Sequence, residues 1–173
     1  MTDTTTDATT VAATAAPTAP TNQENPMTDI HHRIGVQSPS TDGVYAALTT
    51  IDGLAGWWTA DTTGDPGLGG KIAFRFPQGG FDMEVIELVP GERVRWRVVE
   101  GPPEWIGTTI DWRLSRSEGY TIVLFSHEGW AEPVDFLYHC STKWAVFLLS
   151  LKALVETGTG SPSPDDVAIS DWH

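Results

Sequence analysis

Apolar residues alternate with polar ones through the middle of this chain and then change period. Val94, Trp96 and Val98 share one side of the segment Arg93 to Val99, with Arg93, Arg95 and Arg97 on the other. Ile110, Trp112 and Leu114 repeat the pattern opposite Asp111 and Arg113, and Ile72, Phe74 and Phe76 do so earlier. The period of two predicts strands at 71–76, 82–89, 93–99, 108–116 and 121–127. Their separators, Pro77 to Gly80, Pro90-Gly91, Gly101-Pro102-Pro103 and Ser117 to Gly119, have turn chemistry, so successive strands form hairpins. Val123 and Phe125 share the side of His127, yet Ile122 and Leu124 make the other side apolar too, which suggests cover from a second subunit.

From Phe136 to Glu156 the apolar spacing becomes helical. Cys140, Trp144, Phe147, Leu151 and Leu154 recur every three or four residues and form one stripe, while Tyr138, Lys143 and Lys152 lie off it. Lys152 and Glu156 are spaced for an ion pair, and Gly158 ends the helix. Upstream, Ile30 to Val36 reads as a strand, Ser38-Pro39 as the start of a helix to about Thr49, and Leu54 to Trp58 as a second helical turn after a break at Asp52-Gly53. GDPGLGG (64–70) is loop. The expected architecture is α+β: a curved antiparallel sheet of about six strands, two short helices after the first strand, and a long C-terminal helix lying across the sheet. Such a pairing leaves room for a cavity between helix and sheet.

Residues 1–26 are a Thr/Ala/Pro-rich tract with almost no large apolar side chain, expected to be a disordered tail; Met27 is a candidate alternative start. One domain is expected over 27–160, with a C-terminal tail at 161–173. A net charge of −13 disfavours nucleic acid and anionic membranes. A single cysteine, Cys140, precludes an intrachain disulfide, and no apolar run is long enough for membrane insertion, so a cytoplasmic protein is expected.

Eight tryptophans are a high count for this length. Their flat apolar faces suit a core and also an aromatic guest. His127, ending a strand with apolar neighbours on its side, is the best polar candidate at the cavity rim, as a hydrogen-bonding group or proton shuttle. A structural role for it is the simpler reading. His139 and Cys140 point about 100° apart, one toward the cavity and one toward solvent. Cys140, on the buried stripe, is not expected to be a nucleophile. Asp111 is expected in a solvated ladder with the strand arginines. No histidine, cysteine and carboxylate spacing matches a metal site, and 64–70 lacks the residues of a phosphate loop, so neither metal nor cofactor is expected. The candidate ligand-binding set is Trp58, Phe74, Met83, Trp96, Trp105, Trp112, His127, Trp130, Cys140 and Trp144, with no catalytic residue assigned.

These residues also carry a resemblance. Tyr45-xx-Leu48, Asp52-Gly53-Leu54-xx-Trp57-Trp58-Thr59, Gly69-Gly70, Val94-x-Trp96, His127-x-Gly129-Trp130 and Cys140-xxx-Trp144-xxx-Leu148-xx-Leu151-Lys152 running into Glu156-Thr157-Gly158 resemble the START-like (SRPBCC) superfamily. Within it, the chain looks like single-domain relatives of the activator of the heat-shock-protein-ninety ATPase, over about Ile30 to Pro162. The resemblance implies a helix-grip fold whose members bind or transform lipids, sterols, polyketides and other apolar compounds. Three functions stay open: binding of a small apolar or aromatic molecule, a cavity enzyme of polyketide cyclase/dehydratase type, and a chaperone ATPase-activator-like protein. A homodimer is compatible with each.

Overall fold

The computed structural model describes residues 28–173, and the tract read as a disordered tail lies outside them. Ten elements follow in order: β1 (Thr28–Gln37), α1 (Asp42–Thr49), α2 (Ile51–Trp57), β2 (Asp61–Gly64), β3 (Lys71–Phe76), β4 (Gly79–Val89), β5 (Arg93–Glu100), β6 (Thr109–Ser117), β7 (Tyr120–Trp130) and α3 (Asp135–Thr157). The strands form one antiparallel sheet in the order β1-β7-β6-β5-β4-β3-β2. Hairpins join β2 through β7, and β1 returns to pair with β7, placing the first and last strands side by side. Register shifts between Asp82/Met83 and Val85/Glu87 in β4, and between Thr28/Ile30 in β1, mark where the ladder bends. The bent sheet is concave toward α3, giving the expected α+β helix-grip arrangement.

The period-two reading is realised in burial. Val94, Trp96, Ile110, Trp112, Val123 and Phe125 are buried on the concave face, together with Ile72, Phe74, Met83 and Val85. Leu137, Cys140, Trp144, Phe147, Leu148 and Leu151 of α3 close over them. Gly158, at φ 83°, ends the helix and donates its N–H to Leu154 O at 2.9 Å. The Lys152–Glu156 ion pair forms at 2.5 Å.

Several expectations need correction. The first helix starts at Asp42, not near Pro39. The carbonyls of Ser38 and Ser40 accept hydrogen bonds from Arg116 Nη1 and Thr121 Oγ1, which holds the preceding turn against β6 and β7. Asp52-Gly53 is no break: Thr50 Oγ1 accepts from Gly53 N at 3.0 Å and caps α2. Glycine is needed there because a Cβ would sit 2.7 Å from Ala46 O and from Ala47 Cα. A seventh strand, β2, pairs with β3 at the sheet edge, although Asp61–Gly64 contains no apolar side chain to betray it.

The outer face differs as well. Asp111 is not in a solvated ladder: its side chain is fully covered, with Arg93 donating to both oxygens at 2.9 Å and Arg113 donating at 3.0 Å. Burial alone would raise its pKa, but the two guanidinium groups outweigh burial and lower it. Leu124 stays 43% exposed on this face among the described residues.

Candidate functional site

Between α3 and the β3–β4 end of the sheet lies a cavity of about 290 Å³. The hairpin turn supplies Phe76, Gln78, Gly79, Gly80 and Phe81, and the C-terminal cap of α2 supplies Trp58 behind them. Trp105 and Pro102, from the loop before β6, form one side. The opposite wall is α3, with Phe136, His139, Cys140, Lys143, Trp144 and Phe147. Trp172 and His173 complete the rim. Nine of these side chains are aromatic or prolyl rings: Trp58, Phe76, Phe81, Pro102, Trp105, Phe136, Trp144, Phe147 and Trp172. The lining therefore has large flat apolar walls and few polar groups, all of them neutral or basic.

Stacking organises the walls. The Trp105 and Trp144 rings lie nearly parallel, 11° apart with centroids at 6.1 Å. Phe81 packs on Trp105 at 4.7 Å and on Trp58 at 5.3 Å. Gly79 and Gly80 expose no side chain, so the sheet opens where β3 turns into β4.

Of the residues proposed from sequence, Trp58, Trp105, Cys140 and Trp144 line this cavity. Phe74, Met83, Trp96, Trp112, His127 and Trp130 do not; they are buried in the packed core. Their faces are already occupied: Trp96 and Trp112 meet edge-on at 5.5 Å, Trp112 meets Phe125 at 4.8 Å, and Phe74 lies 4.3 Å from Trp58. Alternation identified the inner face correctly. It carries no information on how far along that face the helix packs closely.

His127 proves to be a relay inside the wall and not a rim group. Trp144 Nε1 donates to His127 Nδ1 at 3.2 Å, which leaves the imidazole proton on Nε2. Nε2 then donates to Thr108 Oγ1 at 2.8 Å, and Thr108 Oγ1 donates to Trp105 O at 2.5 Å. Both ring nitrogens are used, and burial pushes the pKa from 6.5 down to about 3. The ring is neutral near pH 7 and has no lone pair free for proton transfer. What it does is tie helix, sheet and loop so that Trp144 and Trp105 keep their parallel pose.

Cys140 sits at the floor of the cavity. Burial pushes its thiol pKa up to about 12, with the Trp105 indole beside it acting weakly the other way. It is a small apolar surface and not a thiolate. His139 borders the cavity too, contrary to the expectation that only one of the pair would. Its Nδ1 lies 3.0 Å from Ser170 Oγ, because the rim extends past the helix stripe onto the C-terminal residues.

Sequence reasoning missed Phe81, Phe136, Phe147 and the polar group of Gln78, His139 and Lys143 as lining residues. Phe147 was on the helical stripe and Phe136 opens the helix, so a signal existed for both. Trp172 and His173 lie in a C-terminal stretch without periodicity, so no pattern in the sequence places them.

Residues 39–156 match the family model described as Activator of Hsp90 ATPase homolog 1-like protein. No match is found among curated proteins. Among solved structures, the chain is similar to the Aha1 dimer from Colwellia psychrerythraea, with 48% identity, a TM-score of 0.72, and coverage of 78% of this chain and 100% of that one. CalU16 from Micromonospora echinospora shares the fold at 23% identity and a TM-score of 0.62, covering 76% of this chain and 78% of that one. DynU16, from the dynemicin biosynthetic locus, does so at 23% identity and a TM-score of 0.63, covering 76% and 48%. The START-like fold, the span of the family match and the identity to the Colwellia protein together place the chain in the Activator of Hsp90 ATPase homolog 1-like family.

Proposed function

We propose that this protein binds a small, flat, apolar or aromatic molecule in the cavity under α3. The observation that carries the reading is a space of about 290 Å³ walled by aromatic rings and floored by a neutral thiol. That volume is at the lower end of ligand pockets, so a guest of two or three fused rings fits better than a sterol. Affinity comes mainly from burying apolar area, about 25 cal/mol per Å². Gln78 and His139 offer hydrogen bonds to a polar substituent at the rim.

The cyclase-like alternative assigned proton handling to His127, which is enclosed and neutral behind the wall. Binding is therefore the better-supported reading. The decisive experiment is a fluorescence titration with N-phenyl-1-naphthylamine. Saturable enhancement is expected from the wild type, weakened at least about tenfold by Cys140→Phe, which fills the floor. Binding that does not saturate, or that ignores Cys140→Phe, would overturn the proposal.

A second reading concerns assembly. The Colwellia protein is described as a dimer, and Leu124 leaves an apolar spot on the outer sheet face here. We propose that this chain also forms a homodimer; light scattering that gives a monomer mass across a concentration series would refute it. No helix among the described residues is long and apolar enough to cross a membrane. With its buried free cysteine, the protein suits the reducing cytoplasm.

A further inference from the structure

We infer that residues 164–173 form a releasable wall of the cavity, clasped by Lys143, and that small molecules enter when this segment lifts. The inference rests on the proposed binding reading only for what enters; the movable wall stands on its own contacts. The segment is rooted beside the cavity. Ser163 N donates to Trp58 O at 2.9 Å and Ala60 N donates to Ser163 O at 3.0 Å, so the root is stitched to the residue that backs the cavity.

Beyond the root the attachment is narrow. The Asp166 side chain is fully covered, yet neither of its oxygens has a hydrogen-bond partner beyond the ion pair with Lys143 and the approach of His173 Nε2 at 3.5 Å. Lys143 Nζ also donates to Val167 O at 2.8 Å and to His173 O at 3.3 Å, so one side chain on α3 gathers three points of the segment. His139 adds Ser170. Apolar attachment is limited to the rim: Val167 is 63% exposed, and Trp172, which meets Phe136 at 6.2 Å and His139 at 5.4 Å, is still 51% exposed.

A segment held by one charged clasp and little buried apolar surface belongs to the least stable part of a fold and opens locally. Its end forms part of the cavity rim, so lifting it widens the entrance. Removing one partner of a covered ion pair leaves the other charge without compensation, and the Lys143 end of this pair is partly open to solvent. The Lys143→Met variant should therefore expel Asp166 and release the segment without touching the sheet.

Cys140 makes the opening measurable without any ligand, since it is the only cysteine and lies on the cavity floor. Its labelling by 4,4′-dithiodipyridine would be timed in the wild type, in Lys143→Met, in Asp166→Asn and in a chain lacking 164–173. Thermal melts would confirm that each is folded. Labelling at least about tenfold faster in the shortened chain and in Lys143→Met is expected, with Asp166→Asn intermediate. Equal rates in folded variants would overturn the inference, as would acceleration that merely tracks global unfolding measured in denaturant.

Stopped-flow mixing with N-phenyl-1-naphthylamine separates the two proposals. Faster association and faster release in the same variants support the gate. Accelerated labelling without any naphthylamine binding would keep the movable wall and reject the binding reading. Unchanged labelling with tight naphthylamine binding would do the reverse.

Discussion

The two ends of the space beneath α3 are built from the same kinds of side chain and finish differently. At the β5–β6 end, Trp57 stacks on Trp58 at 5.4 Å, and Trp112 meets Trp57, Trp96 and Phe125 edge-on, leaving no room for a guest. At the β3–β4 end, Phe76 and Phe147 stand 6.2 Å apart and Trp105 is 6.4 Å from Phe136, around open volume. The difference comes from the partner opposite the helix. Where strands present indoles to one another, ring meets ring; where the chain turns at Gly79, whose missing Cβ would meet open space, nothing projects to fill the gap. Aromatic content alone therefore does not make a binding site. A place where the sheet stops supplying side chains does.

The largest expected effect probes the sealed end. Trp112→Ala should cost about 3–5 kcal/mol in urea unfolding, because the side chain is wholly enclosed and its removal leaves a cavity the size of an indole. A loss below about 1 kcal/mol would show that this end is as loosely filled as the other.

The histidine relay on β7 fixes Trp144 and Trp105, which wall the open end, and acid tests it. His127 titrates near 6.5 when unfolded and about 3 when folded, so the unfolded chain takes up the proton first. The stability tied to this ring is fully present above pH 6.5 and is lost as pH falls toward 3. Between pH 7 and pH 5 that amounts to about 2 kcal/mol, and His127→Gln should remove this portion of the slope. An unchanged slope in the variant would mean that the ring is solvated.

Breaking the relay without a charge change should have an effect of comparable size. Thr108→Val leaves the His127 Nε2–H unpaired and should cost about 1–3 kcal/mol, while loosening the Trp105 wall enough to weaken naphthylamine binding. Smallest of all, Trp172→Ala at the open rim should change stability by no more than about 0.5 kcal/mol yet weaken the probe measurably. If Trp172→Ala destabilised as much as Trp112→Ala, the contrast between the ends would be wrong.

Much of the architecture was legible because it rests on period. Val94-Trp96-Val98 and Ile110-Trp112-Leu114 announce their inner face, and Cys140-Trp144-Phe147-Leu151 announces the helix that covers it. What stayed hidden depends on partners distant in sequence. Thr62 is buried in β2 through a bond to Thr59 O, and nothing local in Asp-Thr-Thr-Gly signals an edge strand. Asp111 looked like any surface carboxylate until Arg93 and Arg113 closed over it. The site was half visible for the same reason: facing inward can be read from alternation, whereas facing a void depends on what the opposing element lacks.

Trp58 has one foot in each region, stacked nearly parallel to Trp57 and Trp96 while also backing the cavity. The molecule thus carries its own optical reporter. A guest touching that indole would alter the ultraviolet emission and near-ultraviolet dichroism of a coupled chromophore array, so occupancy can be followed in unlabelled protein while candidate compounds are screened.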